Sequence, residues 1–345
     1  MHGSALYDEL NNPENKEMQR PLLSIVIVNY NTKDDCIKCI QSIQKEVTGI
    51  AYEIILCDNG SSDGSKDAIN EKFPAAQFPW LHIIDNKENI GFGKANNRGT
   101  LSAGGEIIYY LNPDTAIGKG TAPMCRYLLQ HEDIGILGPV VYDKNRRMNI
   151  LYSPIDTNLA FQIINLFITP LAKVYMALHK YRQRYYVKKE KVMYTDYISG
   201  CAIMVRKDVI QEISGFDESL FLYGEEFDLC MKIKMHDYRI GLFPAAEIIH
   251  YGGSSSRKTP TAKIRTITEQ SYQYLMRKYF PHTWRMRYRM KMLTHKRQII
   301  GSYISAVWYY CLHKDYKDAL ASAQNHSVHY RTMADVLRKP STPGN

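Results

Sequence analysis

A continuous apolar run, Leu22 to Val28 (LLSIVIV), ends in the polar triplet Asn29-Tyr30-Asn31. A short Ile/Val-rich run bounded by turn residues predicts a fully buried strand. Asp34 to Gln44 then carries Ile37, Ile40 and Ile43 at helical spacing. Glu53 to Cys57 (EIILC) predicts a second buried strand, which runs into the small polar loop Asp58-Asn59-Gly60-Ser61-Ser62-Asp63-Gly64-Ser65 and a further helix. Leu81 to Ile84 predicts a third strand and Ile107 to Leu111 a fourth. The fourth must stop at Asn112-Pro113-Asp114, because proline has no N–H to give to a ladder. Strands alternating with helices predict βαβ units, and so an α/β fold with a mostly parallel, doubly wound sheet.

Further on, Tyr197 to Val205 (YISGCAIMV) has a strand pattern with Gly200 inside it, and Phe243 to Ile249 is a strand-like run ending at His250-Tyr251-Gly252-Gly253. Glycine within a strand often marks a close approach by a ligand or by backbone. Residues 158–178 are apolar but interrupted by Gln162, Asn165, Pro170 and Lys173, short of the roughly 20 clean apolar residues that span a bilayer. They predict an interfacial or packed helical insertion, followed by an exposed basic connector from Tyr181 to Lys191. The remainder, 257–345, is helical in pattern, and its apolar stretch Ile299 to Leu312 suits a packed or interfacial helix. Residues 1–21 are polar and predict a loosely packed extension; Lys339 to Asn345 predicts a disordered end.

Charge changes this picture. The chain of 345 residues carries a net +9, and twelve of its Lys and Arg fall within 257–298 against a single acid, Glu269. Such a block points to an anionic partner, membrane phospholipid or nucleic acid. The interleaving of basic residues with Met, Tyr and Trp284 favours lipid headgroups, reached through 257–312, and no nucleic-acid motif accompanies it. The seven Cys are scattered. Cys36 and Cys39 lack the second pair or His cluster of a zinc site, so buried thiols in a reducing, cytoplasmic setting are expected.

Candidate chemistry gathers where the strands end. In open α/β sheets ligands bind beyond the carboxyl ends of the strands. The Asp58 loop, the stretch Asn89-Ile90-Gly91-Phe92-Gly93 through Asn96, and Asp114 all follow strands, which makes a nucleotide pocket at one edge plausible. It is neither a dinucleotide fingerprint nor a P-loop, since neither glycine pattern is present. Asp114 is either a turn residue or a ligand for a hard cation that neutralises a diphosphate. Glu225, Glu226 and Asp228 put three carboxylates in four positions. They form either an acidic first helical turn or a site where crowding raises one pKa and makes a general base. His250 before its Gly/Ser loop is a structural histidine, a metal ligand or a phosphate contact.

Taken in order, these motifs resemble the family 2 glycosyltransferases, inverting enzymes of the GT-A fold, and within them a rhamnosyltransferase-like branch. The resemblance covers about 22–256 and adds Gly215-Phe216-Asp217-Glu218 to the stretches above. It implies that Asp58 reads the pyrimidine base of a nucleotide sugar. Asn29, Tyr30, Asn31, Asn59, Asn89, Gly91, Phe92, Asn96, Asn112 and Gly200 then line the donor pocket. Asn112-Pro113-Asp114 stands where relatives carry Asp-x-Asp, leaving Asp114, with His250, to hold Mg²⁺ or Mn²⁺. Glu226 stands at the catalytic base, with Glu225 and Asp228 beside it. The implied organisation is a GT-A domain over 22–256 and a basic helical region over 257–345. The domain comprises a nucleotide-binding half, 22–115, an insertion, 145–195, and an acceptor and catalytic half, 196–256. The implied activity transfers rhamnose or a hexose from a dTDP- or UDP-linked donor to a lipid-linked or polysaccharide acceptor in cell-surface glycan synthesis, at the cytoplasmic membrane face. The departures at Asn112 and Glu226 leave a second expectation, a nucleotide-sugar-binding scaffold without catalysis.

Overall fold

The computed structural model describes residues 20–149, 163, 169–252, 261–312 and 315–338. Nearly all of the expected N-terminal extension, most of 150–168, Gly253 with its serines, and the C-terminal end from Lys339 lie outside the described residues.

Strands β1 (Leu23–Asn29), β2 (Tyr52–Asp58), β3 (Leu81–Asp85) and β4 (Ile107–Leu111) alternate with helices α1 (Lys33–Glu46), α2 (Ser65–Lys72) and α3 (Phe92–Ser102). The four strands are mutually parallel in the order β3-β2-β1-β4, with Asn29 paired to Asp58 and Asp58 to Asp85. Their carboxyl ends therefore share one edge. The sheet continues through β5 (Thr115–Ile117), β6 (Ile134–Tyr142), β7 (Met193–Thr195), β8 (Ala202–Arg206) and β9 (Arg239–His250). Its full path is β3-β2-β1-β4-β8-β6-β9-β5, with β7 alongside β9. β8 is antiparallel to both β4 and β6, while β6 runs parallel to β9. The sheet is thus mostly parallel but mixed.

Alternate residues of each strand serve opposite faces. Leu23, Ile25 and Ile27 join one buried cluster with Cys36, Ile40 and Ile43 of α1 and with Met124 and Leu128 of α4 (Thr121–Gln130). Val26 and Val28 join the other, with Ala95 of α3, Val209 and Ile210 of α6 (Lys207–Glu212), and Leu229 and Ile233 of α7 (Glu225–Met235). Cys36 and Cys39 are free thiols buried on α1, and burial pushes Cys39 up to about 12.

Three expectations need correction. Gly200 does not lie within a strand: it sits in the turn that leads into β8, whose ladder with β4 begins at the Leu111–Ala202 pair. The stretch from Tyr181, expected as an exposed basic connector, is mostly exposed but helical, because α5 (Thr169–Lys188) carries the helix through it before the turn at 189–190. The pattern above also contains no strand at 134–142, where Pro139 interrupts an apolar run. There β6 forms regardless, with a register shift between Pro139 and Val140.

Three helices follow β9: α8 (Thr261–Tyr279), α9 (Trp284–Cys311) and α10 (Lys317–Arg338). They enclose a small core of Tyr272, Met276, Tyr288 and Met333. Glu269 is fully buried among them, with His329 Nε2 at 2.6 Å and Lys291 Nζ at 3.1 Å. Among the described residues, no helix is long and apolar enough to cross a membrane.

Candidate active site

Asn29 and Asp58 close the first corner of the edge, and both are buried. Asn29 Nδ2 donates to Asp58 Oδ1 at 2.8 Å, and the Ser61 N–H donates to Asp58 Oδ2 at 2.9 Å. Thr32 Oγ1 donates to Asn29 Oδ1 at 2.7 Å, fixing the amide's orientation. Asn31 adopts φ 55°, a left-handed conformation that asparagine tolerates, and its Oδ1 accepts the Ser62 N–H at 2.7 Å. Tyr30 stands half-buried between them. The second corner is an asparagine chain. Asn86 Nδ2 donates to Asn59 Oδ1 at 2.7 Å, Asn59 Nδ2 to the Gly91 carbonyl at 3.2 Å, and the Gly91 N–H to Asn89 Oδ1 at 3.1 Å. Asn96, buried on α3, donates to the Phe92 carbonyl at 3.1 Å.

The two halves of the sheet domain are stitched across this corner. The Phe92 N–H donates to the Phe221 carbonyl at 3.1 Å. Asn97 both donates to the Phe216 carbonyl, at 2.9 Å, and accepts the Phe216 N–H, at 2.8 Å. This brings the segment before α7 over the same edge.

Beyond β4, the Asn112 N–H donates to the Cys201 carbonyl at 2.9 Å, and Asn112 Oδ1 is buried with no hydrogen-bond partner. The antiparallel β5–β9 ladder pairs Thr115 with His250. That register sets His250 Nε2 3.2 Å from Asp114 Oδ1. Among the described residues no three His, Cys, Asp or Glu side chains gather in a metal-binding group. Asp114 and His250 therefore offer a carboxylate and an imidazole, a pair that suits a cation whose remaining ligands are phosphate and water oxygens.

Helix α7 begins at Glu225, after Gly224 at φ +100°. A β-carbon on Gly224 would also stand 2.6 Å from Leu275 Cδ1 of α8, so the tight turn needs glycine for both reasons. The three acids of the first turn have three different surroundings. Glu226 is partly exposed and accepts a hydrogen bond from Tyr197 Oη at 2.8 Å. Its side chain lies against Gly200, where a β-carbon would come within 3.2 Å of Glu226 Cβ. Burial and the carboxylate push the Tyr197 phenol far above its ordinary value, so it stays a donor. Glu225 is buried, and burial, then the charge of Glu226, push its carboxyl up to about 8. It is mostly protonated at neutral pH. Asp228 is completely buried, with Lys278 Nζ and Tyr279 Oη each 2.6 Å from Oδ1; Oδ2 accepts no hydrogen bond but has Lys232 Nζ as an ion-pair partner at 3.1 Å. Lys278 also reaches Asp217 Oδ2 at 2.5 Å. Burial works to raise Asp217, but Lys278, the Ser219 N–H and Tyr274 outweigh it and hold this carboxyl at about 2.

The structure thus gathers Asn29, Tyr30, Asn31, Asp58, Asn59, Asn89, Gly91, Phe92, Asn96, Asn112, Asp114, Gly200, Glu226 and His250 along one edge, and it turns Asp228 inward. Sequence reasoning passed over Tyr197, Lys278 and Tyr279. Tyr197 had been absorbed into a strand pattern, and the contacts of the other two join positions 50 or more residues apart.

The profile described as "Glycosyl transferase family 2" matches residues 24–213, more than half of the chain. A low-salt glycan biosynthesis hexosyltransferase, Agl10 of Haloferax volcanii, is 25% identical over 66% of this chain, which spans 66% of that protein. An N-acetylglucosaminyl-diphospho-decaprenol L-rhamnosyltransferase of Mycobacterium tuberculosis is 22% identical over 79% of this chain and 92% of its own length. The mannosyltransferase PcManGT of Pyrobaculum calidifontis, solved with GDP-Man and Mn²⁺, superposes with a TM-score of 0.57 at 14% identity, covering 93% of this chain and 88% of that one. The fold is the GT-A glycosyltransferase fold. With a profile match that takes in the Asn29–Asp58 corner, the asparagine chain and Asp114, and stops short of α7, the chain belongs to glycosyl transferase family 2 and is a glycosyltransferase.

Proposed function

We propose that this enzyme transfers rhamnose or a hexose, with inversion, from a dTDP- or UDP-linked donor to a lipid-linked glycan or polysaccharide acceptor, in cell-surface glycan synthesis. The observation that carries the reading is the surroundings of Glu226: a partly exposed carboxylate oriented by Tyr197, over a glycine, at the edge that also holds Asp58 and Asp114. Glu226 is the base. As the acceptor oxygen bonds to the anomeric carbon, its proton passes to Glu226, the bond from that carbon to phosphate oxygen breaks, and the nucleoside diphosphate leaves with the electron pair. Glu225, protonated, keeps a second negative charge away from the base. Asp228 is a positioning residue.

Asp58 receives the base of the nucleotide. Each of its oxygens takes one hydrogen bond from the protein and retains capacity for another. Asn59, Asn89 and Asn96 set the loop over the nucleoside. Asp114 and His250 would hold Mg²⁺ or Mn²⁺ together with the diphosphate. Bound there, the cation supplies positive charge to the leaving group. The relatives named for glycan biosynthesis and for a decaprenol-linked acceptor support the acceptor class. The basic region 257–312 makes a peripheral contact with the cytoplasmic membrane face, where such an acceptor is held.

The test is a thermal-shift screen against dTDP, UDP, GDP and CMP, each with and without Mn²⁺, followed by turnover of Glu226→Gln. A metal-dependent rise with dTDP or UDP alone, and a variant that binds nucleotide but does not turn over, are expected. Full turnover by Glu226→Gln would refute the assignment of the base. Nucleotide binding without transfer to any acceptor would favour a scaffold.

A further inference from the structure

The basic block does not act as a whole, because much of it is spent inside the protein. Lys278 is bound to Asp217 and Asp228, Lys291 to Glu269, and Arg287 is buried with its guanidinium 4.1 Å from the centre of the Phe280 ring. What remains outward on α9 is ordered. Arg285, Met286, Arg289, Leu293, Lys296, Ile300, Ile304, Val307 and Trp308 are all exposed. Their spacing of three and four residues lays them along one side of a single helix. The cations occupy the first half of this stripe and large apolar side chains the second. Ile300, Ile304, Val307 and Trp308 are each 60–64% exposed. Another side of α9 is used internally, with Tyr288 and Ala306, five turns apart on one line, both buried.

We infer that this outer stripe of α9 is a docking surface for a bilayer containing anionic phospholipid, with α9 lying in the plane of the interface. The inference rests on the membrane contact proposed above and narrows it to one face of one helix. Charge selects the occupant. Helix α9 contains no Asp or Glu; the nearest acids in sequence, Asp315 and Asp318, follow its end. A second copy related by a two-fold axis would present the same patch to itself. In either relative direction the cations would meet cations or apolar groups, never an acid. Nucleic acid would pair with the first half and leave the second exposed. An anionic bilayer satisfies both, with headgroups for Arg285, Arg289 and Lys296 and acyl-chain boundary for Ile300 through Trp308. Tryptophan at the apolar end suits the headgroup level, where one part of its ring is dry and its N–H is wet.

The experiment is co-sedimentation of the full chain with phosphatidylcholine vesicles containing about one third phosphatidylglycerol, against pure phosphatidylcholine, with Trp emission recorded alongside. The wild type should bind the anionic vesicles and shift its emission to the blue, and Trp308→Phe should lose most of that shift. Arg285→Gln/Arg289→Gln should weaken binding by about ten- to thirtyfold, from about one surface charge's worth of attraction per residue. Ile304→Asp/Val307→Asp should abolish binding. Because these side chains are exposed, all three variants should keep the wild-type melting temperature and its rise with nucleotide. Binding by the variants equal to wild type would overturn the inference. So would equal affinity for pure phosphatidylcholine, binding to DNA of matched charge but not to vesicles, or a wild-type dimer that the aspartate pair makes monomeric. Loss of the nucleotide response in the wild type would instead count against the glycosyltransferase site, and leaves the vesicle result to stand by itself.

Discussion

Replacing Lys278 by Met should uncouple the base-bearing turn from the helices that brace it. In the native protein Lys278 Nζ lies 2.6 Å from Asp228 and 2.5 Å from Asp217, and Asp228 is completely buried. Stripping the partner from a buried charge costs about 3–5 kcal/mol when nothing else remains beside it. Here Tyr279 Oη at 2.6 Å and Lys232 Nζ at 3.1 Å stay in place, so the loss should be smaller, about 2 kcal/mol. In a chain of this size that is a fall in melting temperature of roughly 3 °C. Asp217 adds a pH signature. Its carboxyl is held at about 2, so its share of stability is present above the unfolded value, near 4, and is lost as pH falls towards 2. Lys278→Met should shrink that acid-side loss. Lys278→Arg should restore part of the stability. Adding Asp228→Asn to Lys278→Met should cost little more, since the completely buried charge that Lys278 offset would then be gone. In turnover, Lys278→Met should lower kcat while the affinity for nucleotide stays at the wild-type value, because the hydrogen bonds that set the Asn29–Asp58 corner come from Thr32 and Ser61 rather than from α8. Unfolding measured at pH 7 and at about pH 2–3, with turnover at pH 7, decides the matter. A variant that melts with the wild type, or one that loses nucleotide affinity while keeping kcat, would refute the reasoning.

Three further outcomes follow from the geometry of the edge. The Glu225 carboxyl sits at about 8 in the fold against 4.5 in the open chain, so the native state holds its proton more tightly and stability should decline as pH rises from about 4.5 to about 8. Glu225→Gln should flatten that decline in a series of thermal melts. Gly200→Ala places a β-carbon 3.2 Å from Glu226 Cβ, which should displace the carboxylate by a few tenths of an ångström and cut kcat about tenfold, with little change in melting temperature. Asp114→Ala should abolish the Mn²⁺-dependent part of the nucleotide melting shift and leave its metal-independent part, as a titration with and without the metal would show.

The nucleotide-side strands could be read from the chain because each is a local signal: an apolar run closed by Asn29, Asp58 or Asn112-Pro113, residues that end strands for steric or hydrogen-bonding reasons. The parallel order of β1, β2 and β4 then follows from the helices between them. Tertiary contacts could not be read in this way. The apolar pattern from Tyr197 continues through a turn, so nothing local marks where β8 starts, and the ladder with β4 decides it. The basic block looked uniform, but Lys278 and Arg289 differ only in what the fold packs against them. Three acids within four positions could be recognised as crowded. That Glu225 would be dry, Glu226 open and Asp228 neutralised depends on Tyr197, Gly200 and Tyr279, which arrive from other parts of the chain.

The way the chain leaves and re-enters the sheet around α5 has a consequence for how enzymes of this kind diversify. It departs from β6 and comes back through β7, and both strands pair with β9. The described residues between Asp143 and Val192 contribute no rung to the β1–β4 ladder, and the strands that bracket them both pair with β9. Length and composition there can drift, or be exchanged between homologues, without shifting the register that sets Asp58 against Asn29. A library built by grafting this segment would vary it while the register of β1 against β2 stayed as it is, so the two parts of the fold can change separately.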